Sequence, residues 1–299
     1  MADTSGMLDI RGINIDKAAK GFADEESIFK KYVTNSTTNA WEIRWYQKTS
    51  GFLDSTDTTG ITASAIQNTS FSSRPVVVEQ SWTRKTSYIK KFFVESPWIS
   101  DEDMQGSDID IIGTNIRDLV RAVANQVDIR IWNVMVEANT AGVPTPVTIN
   151  NVAIVNEWDD YSNATPIADL MQAKAYIRSY GYNPEGAVLF LNSNEHMYLM
   201  NWLISTKGSS IPAFASERIK DGVVMEILGL RLIISQNVTV DYGCIWVPQR
   251  AGTWKSFKQI TAGKIVDLGI GTKIRVWEEG ECLLTDSRAV CLLSNVGPT

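Results

Sequence analysis

The sequence is organised around residues 107–139, SDIDIIGTNIRDLVRAVANQVDIRIWNVMVEAN. Apolar residues recur here at steps of three and four, which places them on one face of a helix with 3.6 residues per turn. This predicted apolar face comprises Ile109, Ile112, Ile116, Leu119, Val123, Val127, Ile131, Val134 and Ala138. The spacing predicts a single amphipathic helix of roughly 45 Å, whose apolar face lies on a sheet or on a neighbouring subunit.

The sequence also indicates where this helix begins and ends. Ser107 and Asp110 form a capping-box pattern at its start, and Gly142 and Pro144 close the segment. The opposite face is polar and is predicted to carry Arg117, Asp118, Arg121, Asn125, Asp128 and Glu137. A long helix in an ordinary domain core has the same pattern, so this stretch alone assigns no function.

The composition bounds the class of protein. The chain has 299 residues, which predicts about two domains, and its 44% hydrophobic and 21% charged residues are typical of globular proteins. A formal charge of −6 argues against a protein whose main task is holding nucleic acid. The N-terminus lacks the pattern of a signal peptide, and no apolar run is long enough for a transmembrane helix. The three cysteines, Cys244, Cys282 and Cys291, are predicted to be buried thiols.

A long polar excursion precedes the helix. Residues 41–47, WEIRWYQ, alternate like a strand, and a Ser/Thr-rich stretch at 48–75 follows them. This excursion exceeds the usual hairpin loop, so it is functional, disordered or both. We interpret it as a two-stranded assembly arm that becomes ordered on a neighbouring subunit. Its widely spaced apolar residues are Phe52, Leu53, Ile61, Ile66 and Phe71.

Four lysines near the N-terminus, Lys17, Lys20, Lys30 and Lys31, could contact an anion. A solvated helix face is the favoured interpretation of their spacing. After residue 150 helices and strands alternate, and Asn192 with Glu195 forms another capping-box pattern. The ends of the chain do not alternate in this way, which indicates an α/β domain inserted in an α+β frame.

Patterns that support catalysis, metal binding or cofactor binding are not found. The single histidine, His196, lies in a predicted helix, and no serine or cysteine elbow accompanies it. Residues 269–273, GIGTK, lack the spacing of a nucleotide loop. Asp101 and Asp103 occupy calcium-loop positions, but Ile112 stands where a glutamate is required. An acidic turn that leads into the helix is the favoured interpretation of this segment, and no cofactor or metal is expected.

The order of these parts resembles the major capsid protein of tailed double-stranded-DNA viruses. This Hong Kong 97 fold is shared by bacteriophages, some archaeal viruses and encapsulin compartments. Three stretches support the resemblance: SYIKKFFVESPWISDED (87–103), EILGLRLIISQNV (226–238) and TKIRVWEEGECLLTDSRAVCLLS (272–294). In the second stretch, Arg231 replaces the proline that is usual in the family.

The resemblance implies an α+β, Hong Kong 97-like capsid fold. The implied parts are an N-terminal arm (1–40), an extended two-stranded loop (41–80), a peripheral domain (81–150) with the spine helix at 107–139, an α/β axial domain (151–250), and strands that return to both domains (251–299). Many family members carry an N-terminal scaffolding segment that a protease removes. About 40 residues precede the first strand here, so we expect a separate scaffold protein or none.

The implied function is a non-enzymatic virion subunit. It forms the pentamers and hexamers of an icosahedral shell around packaged DNA and is assembled in the host cytoplasm. Scaffold, portal and decoration proteins are possible further partners, and no membrane is expected. Trp41, Trp45, Trp82 and Trp98 lie beside the arm and are interface anchors or core residues with equal weight. The alternatives are an encapsulin-type compartment shell and an α/β enzyme centred on residues 150–250.

Overall fold

The computed structural model describes residues 19, 27–50, 71–72, 74, 81–106, 110–204 and 226–298. The strands are β1 (Thr34–Thr37), β2 (Glu42–Ser50), β3 (Ser81–Tyr88), β4 (Lys90–Glu95), β5 (Ile99–Ser100), β6 (Asn150–Ala153), β7 (Val188–Leu191), β8 (Glu226–Ile227), β9 (Leu230–Ile234), β10 (Tyr242–Trp246), β11 (Gly252–Asp267), β12 (Gly271–Leu284) and β13 (Val290–Ser294). The helices are α1 (Asp101–Gly106), α2 (Ile111–Met135), α3 (Pro166–Ser179) and α4 (Ser193–Trp202), with 3₁₀ turns at Phe29–Tyr32 and Ser287–Ala289. This mixture confirms the predicted α+β class.

The long helix α2 is shorter than the sequence predicts, because both of its ends are set by other residues. Asp110 is the N-cap, and its carboxylate accepts a hydrogen bond from the Gly113 N–H at 2.9 Å. At the other end, Glu137 adopts a left-handed backbone (φ 51°) that stops the helix. The Glu137 carboxylate accepts hydrogen bonds from the N–H groups of Val147 and Thr148 at 2.6 and 2.7 Å. The predicted bounds of 107–139 are therefore wrong.

The acidic stretch before α2 is also helical, where the sequence predicts a turn. Ser100 accepts a hydrogen bond from the Asp103 N–H at 3.0 Å and so caps α1. Asp101, Glu102 and Asp103 occupy the first turn, where the helix dipole favours negative charge.

The apolar face of α2 packs on the core. Four predicted residues, Ile116, Val123, Val127 and Ile131, are fully buried, and Ile112, Leu119 and Val134 are partly buried against the same cluster. Ile109 lies outside the described residues. A neighbouring row that the sequence analysis did not assign to this face is buried as well: Val120, Ala124, Asp128, Trp132 and Met135. The buried face is therefore wider than predicted.

The peripheral sheet lies under α2, in the order β1-β11-β12-β4, with β5 paired to β12. Strand β1 runs parallel to β11, and the other pairs are antiparallel. The stretch GIGTK covers the end of the tight turn between β11 and β12 and the first residues of β12. Gly271 has φ 153°, and a Cβ there would lie 2.1 Å from the Ile99 carbonyl oxygen, so only glycine fits. This stretch closes a hairpin and is not a nucleotide loop.

The axial sheet has the order β6-β13-β10-β7-β9-β8. Its central strands are continuous apolar runs, such as VLFL in β7 and VCLL in β13. Alternate residues of these runs enter two different clusters. Phe190 and Trp246 pack in the cluster with α2, whereas Leu189 and Ile245 pack in the cluster with α3 and α4. A sheet buried on both faces produces this unbroken apolar pattern.

The helix α4 does not use the predicted capping box. The side chain of Asn192 instead donates to the Val238 carbonyl oxygen at 2.8 Å. The Glu195 carboxylate accepts a hydrogen bond from the Asp241 N–H at 2.7 Å. Asp241 in turn accepts from the Gly297 N–H at 3.0 Å. These polar groups tie the loop after β9 and the C-terminal residues to α4.

Candidate functional site

In the part of the chain that the structure describes, the hairpin of β2 and β3 contacts the peripheral sheet near its base. Its two strands pair from Glu42↔Tyr88 towards Ser50↔Ser81. At the base, Ile43 is buried, and the Trp45 indole N–H donates to the Leu284 carbonyl oxygen at 3.2 Å. The ring of Trp41 lies 4.4 Å from that of Phe257 in β11. These contacts hold the hairpin where the long strands β11 and β12 begin and end.

Both the base and the more distant part of the hairpin expose large aromatic side chains. Tyr46 is 62% exposed and Trp82 is 55% exposed, and Trp41 and Tyr88 are exposed as well. Two-stranded hairpins are marginally stable alone, and clustered tryptophan and tyrosine are typical anchors of protein interfaces. The exposed aromatic surface of β2 and β3 is therefore the strongest candidate contact surface of the described chain.

Of the five predicted arm residues, only Phe71 is among the residues that the structure describes. Phe52, Leu53, Ile61 and Ile66 lie outside the described residues, and Phe71 is exposed. Of the four tryptophans beside the arm, Trp45 is partly buried, and Trp41, Trp82 and Trp98 are exposed. Trp98 is covered by the Lys273 ammonium, 4.9 Å from the ring centroid.

Asp128 is a positioning residue that the sequence analysis placed wrongly on the polar face of α2. Its carboxylate is buried, and it accepts hydrogen bonds from the Ile28 N–H at 2.7 Å and the Ser27 hydroxyl at 3.3 Å. Burial raises the pKa of Asp128 to about 6, although these donors act in the opposite direction. Asp128 thus fastens the N-terminal segment to α2. The steps of four from Val120 through Ala124 to Asp128 are the signal that could have revealed its burial.

A row of carboxylates on β12 pairs with three other elements: the N-terminal segment, the neighbouring strand β4 and the helix α2. Glu278 pairs with Lys30 of the N-terminal segment, and Glu279 pairs with Lys91 of β4 at 3.5 Å. The fully buried Glu281 accepts from the Arg130 Nε at 2.9 Å on α2. Burial raises the pKa of Glu281, while the Arg130 guanidinium lowers it in part. Glu278 and Glu279 therefore do not form one site together, because each side chain pairs with a lysine of a different element. Lys30 is in an ion pair and not on a solvated face.

Groups that could carry out chemistry are not brought together in the described ranges. Within them, no three His, Cys, Asp or Glu side chains lie close enough to hold a metal ion. His196 is half-buried, and burial lowers its pKa. The cysteines are free and buried, and burial raises the pKa of Cys291 to about 12. No helix in the described part of the chain is both long and apolar enough to cross a membrane.

Comparisons with known proteins point to one family. Residues 98–282 match the model of a phage capsid protein family, so the match covers more than half of the chain. Among curated proteins, no sequence is similar enough to match.

Solved structures share the fold at low sequence identity. The capsid of cyanophage P-SCSP1u aligns with a TM-score of 0.65 and 12% identity, over 91% of this chain and 89% of that one. A virus-like particle from Pyrococcus furiosus aligns with a TM-score of 0.62 and 10% identity, over 94% and 97%. A phage-related protein from Bordetella bronchiseptica aligns with a TM-score of 0.60 and 12% identity, over 95% and 97%.

Proposed function

The chain belongs to the phage capsid protein family, and from this premise we propose that it is the major shell subunit of a viral head. It assembles with copies of itself into pentamers and hexamers, which close an icosahedral shell around double-stranded DNA. The subunit acts by contact and not by catalysis. Its place is the virion, and its assembly takes place in the host cytoplasm.

One observation carries the assembly proposal: the hairpin of β2 and β3 exposes aromatic side chains that its own subunit leaves uncovered. A shell requires heterologous contacts, in which one surface of a subunit meets a different surface of the next. The hairpin provides the first surface, and a neighbouring copy provides the second. Covering Tyr46 and Trp82 on that neighbour removes apolar area from water and stabilises the ring.

Further partners follow from the same role. Scaffold, portal and decoration proteins would contact the subunit during or after assembly. Packaged DNA would contact it without sequence preference, and the net charge of −6 argues that such contact is weak. An encapsulin-type compartment is the alternative that shares the fold. The family match favours the virion over this compartment.

Assembly tests the proposal directly. We expect the purified protein, alone or with its scaffold, to form rings or closed shells in negative-stain micrographs. The double variant Tyr46→Ser/Trp82→Ser should keep the wild-type melting temperature, because neither ring is part of the core, and should lose the shells. Tyr176→Ser, a change to another partly exposed tyrosine in α3, serves as the matched control for folding. Complete particles from the hairpin variant would contradict the role given to this surface.

The predicted arm can be tested separately from its base. Residues 50–72 contain few large apolar residues, so replacing them with a short Gly-Ser turn should leave a folded subunit. We expect this variant to form no shells, or isolated rings only. The arm hypothesis is wrong if the replacement variant still closes complete particles.

A further inference from the structure

Two buried carboxylates join three parts of the chain beside the axial sheet. Glu195, in the first turn of α4, is fully buried, and Asp241, in the turn before β10, is 6% exposed. The Glu195 Oε1 atom accepts the Asp241 N–H at 2.7 Å. Asp241 holds the C-terminal residues, because its carbonyl oxygen accepts from the Val296 N–H and its carboxylate from the Gly297 N–H, both at 3.0 Å. The pair therefore connects α4, this turn and the C-terminal residues.

The pair lacks the partners that a buried charge requires. The second oxygen of Glu195, Oε2, is buried without a hydrogen-bond partner. Within the described ranges, neither carboxylate forms an ion pair with a lysine or an arginine. The Asp241 backbone is left-handed (φ 73°), which is strained for a residue other than glycine, so the contacts around it hold it in place. A buried carboxylate without a cation is favoured in its protonated form.

The segments that meet at the pair bring no cation to it. They are α4, residues 235–242, residues 294–298, and residues 154–161, whose Trp158 N–H donates to the Val296 carbonyl oxygen at 2.8 Å. None of these segments contains lysine or arginine. Their other titratable side chains are Glu157, Asp159, Asp160, Tyr161, His196, Tyr198 and Tyr242. Burial lowers the pKa of His196, so its imidazole is neutral at neutral pH and does not offset the negative charge of the pair.

Burial and mutual repulsion make the pair hold a proton more tightly than exposed carboxylates do. Burial raises the pKa of Glu195, the Asp241 N–H acts in the opposite direction, and the Asp241 charge raises it further. Burial also raises the pKa of Asp241, although two backbone N–H groups act against it. On α2, Asp118 and Arg121 line a cleft with Ser193, but the charge that acts on Glu195 is that of Asp241. Because neighbouring carboxylates repel each other, the pair keeps one proton at a pH at which exposed carboxylates are ionised.

We propose that Glu195 and Asp241 form a proton-dependent clasp for the C-terminal residues. While the pair carries a proton, the clasp is closed, and Val296 and Gly297 stay bound. Loss of the proton places two negative charges side by side where the dielectric constant is low, so the turn moves away from α4 and releases these residues. The clasp is therefore fully closed below about pH 4, where unfolded carboxylates titrate, and opens as the pH rises through the raised pKa values of the pair. It acts within one subunit and does not rest on the shell proposed above.

Hydrogen–deuterium exchange of the purified full chain, measured by mass spectrometry, tests the clasp in the peptide that contains the Val296 and Gly297 amides. The measured exchange rate is divided by the intrinsic rate at each pH, which gives a corrected rate that reports opening alone. For wild type, the corrected rate should rise with pH above about pH 4. The rise should reach up to about tenfold per pH unit, because the closed clasp holds one proton more than the open one.

A neutral replacement of either carboxylate separates the proton from the contact. Glu195→Gln removes the ionisable group and keeps a side-chain oxygen that accepts the Asp241 N–H, so its corrected rate should not change with pH. Asp241→Asn leaves Glu195 without a second charge to repel it, so the rise should be smaller than in wild type. Glu226→Gln, which alters an exposed glutamate of β8 in the same sheet, is the matched control and should follow wild type.

Three results would overturn the proposal. The first is a corrected rate in wild type that does not change with pH. The second is the full wild-type dependence on pH in Glu195→Gln or Asp241→Asn, because another group would then be responsible. The third is faster exchange in Glu195→Gln by the same factor at every pH, because Glu195 would then act as a structural contact alone.

Discussion

The axial sheet and the peripheral sheet bury their residues in opposite ways. In the axial sheet, strand β7 has every residue buried, because α2 covers one face and α3 and α4 cover the other. In the peripheral sheet, Ile274 and Val276 of β12 are buried towards α2, while Trp277, which follows Val276, and its pairing partner Phe93 lie on the other face. One sheet is therefore a core, and the other has a core face and an open face.

This difference assigns different tasks to the two sheets. A sheet covered on both faces is closely packed, so substitutions in it destabilise the fold. A sheet covered on one face leaves side chains free to meet a partner without loss of its own stability. The exposed hairpin of β2 and β3 is rooted on this second sheet, as the contacts of Trp41 and Trp45 show. The candidate contact surface therefore lies on the sheet that has one face outside the core.

The largest expected effect contrasts two phenylalanines. Phe190 of β7 is fully buried against Phe29 and Trp246, with ring centroids 5.1 and 4.3 Å apart. Phe190→Ala should lower the free energy of unfolding by about 3–5 kcal/mol, measured by denaturant titration. Phe93→Ala, on the open face with a 51% exposed side chain, should cost less than about 1 kcal/mol. Similar losses for both variants would remove the distinction between the sheets.

The next effect contrasts two ion pairs. Arg130→Met leaves the fully buried Glu281 carboxylate without its partner, which should cost about 3 kcal/mol at neutral pH. Arg250→Met breaks an exposed pair with Asp286, 3.5 Å apart, and should cost about 1 kcal/mol or less. Thermal unfolding of the two variants beside wild type measures both. If Arg130→Met is as stable as the wild type, the row of carboxylates on β12 does not hold α2.

A third effect is a dependence on pH that Asp128 imposes. Because the pKa of Asp128 is raised to about 6 in the fold, its contribution to stability is present below about pH 4 and is lost as the pH rises through about 6. Between these pH values wild type should lose about 2–3 kcal/mol relative to Asp128→Asn. Asp118→Asn, which alters an exposed carboxylate of the same helix, should follow wild type. Parallel curves for wild type and Asp128→Asn would show that the carboxylate is hydrated.

The smallest effect is expected at the tip of the peripheral sheet. Leu268, in the turn between β11 and β12, is 91% exposed. Leu268→Ser should change the free energy of unfolding by about 0.5 kcal/mol or less. A loss of several kcal/mol in denaturant titrations would mean that this tip is covered in the free subunit, and the open face would then be smaller than described.

Much of α2 could be predicted from the sequence, and its limits show why some of it could not. Spacing alone identifies Ile116, Val123, Val127 and Ile131, since a helix that packs on a sheet must repeat apolar residues every three or four positions. The N-cap at Asp110 could not be distinguished from Ser107, because both residue types cap helices and only the chain path selects one.

The candidate contact surface was likewise predicted only in part from the sequence. The sequence predicts a polar excursion flanked by tryptophans, and the order of parts identifies the capsid resemblance. Neither predicts that Trp45, whose indole donates to the Leu284 carbonyl oxygen, is partly buried while Trp82 stays exposed. Position relative to a distant strand decides between a core and a surface tryptophan, and local patterns do not contain that information.

By itself, the sequence determined the periodic elements: the apolar face of α2 and the unbroken apolar runs of β7 and β13. Each depends on near neighbours, and local geometry links residue type to position. The tertiary structure alone decided which charged groups are buried. Asp128 finds its donors at Ser27 and Ile28, 101 and 100 residues earlier, and Glu281 finds Arg130, 151 residues earlier. A carboxylate is stable in the interior only when such distant partners arrive, so its burial follows from the completed fold.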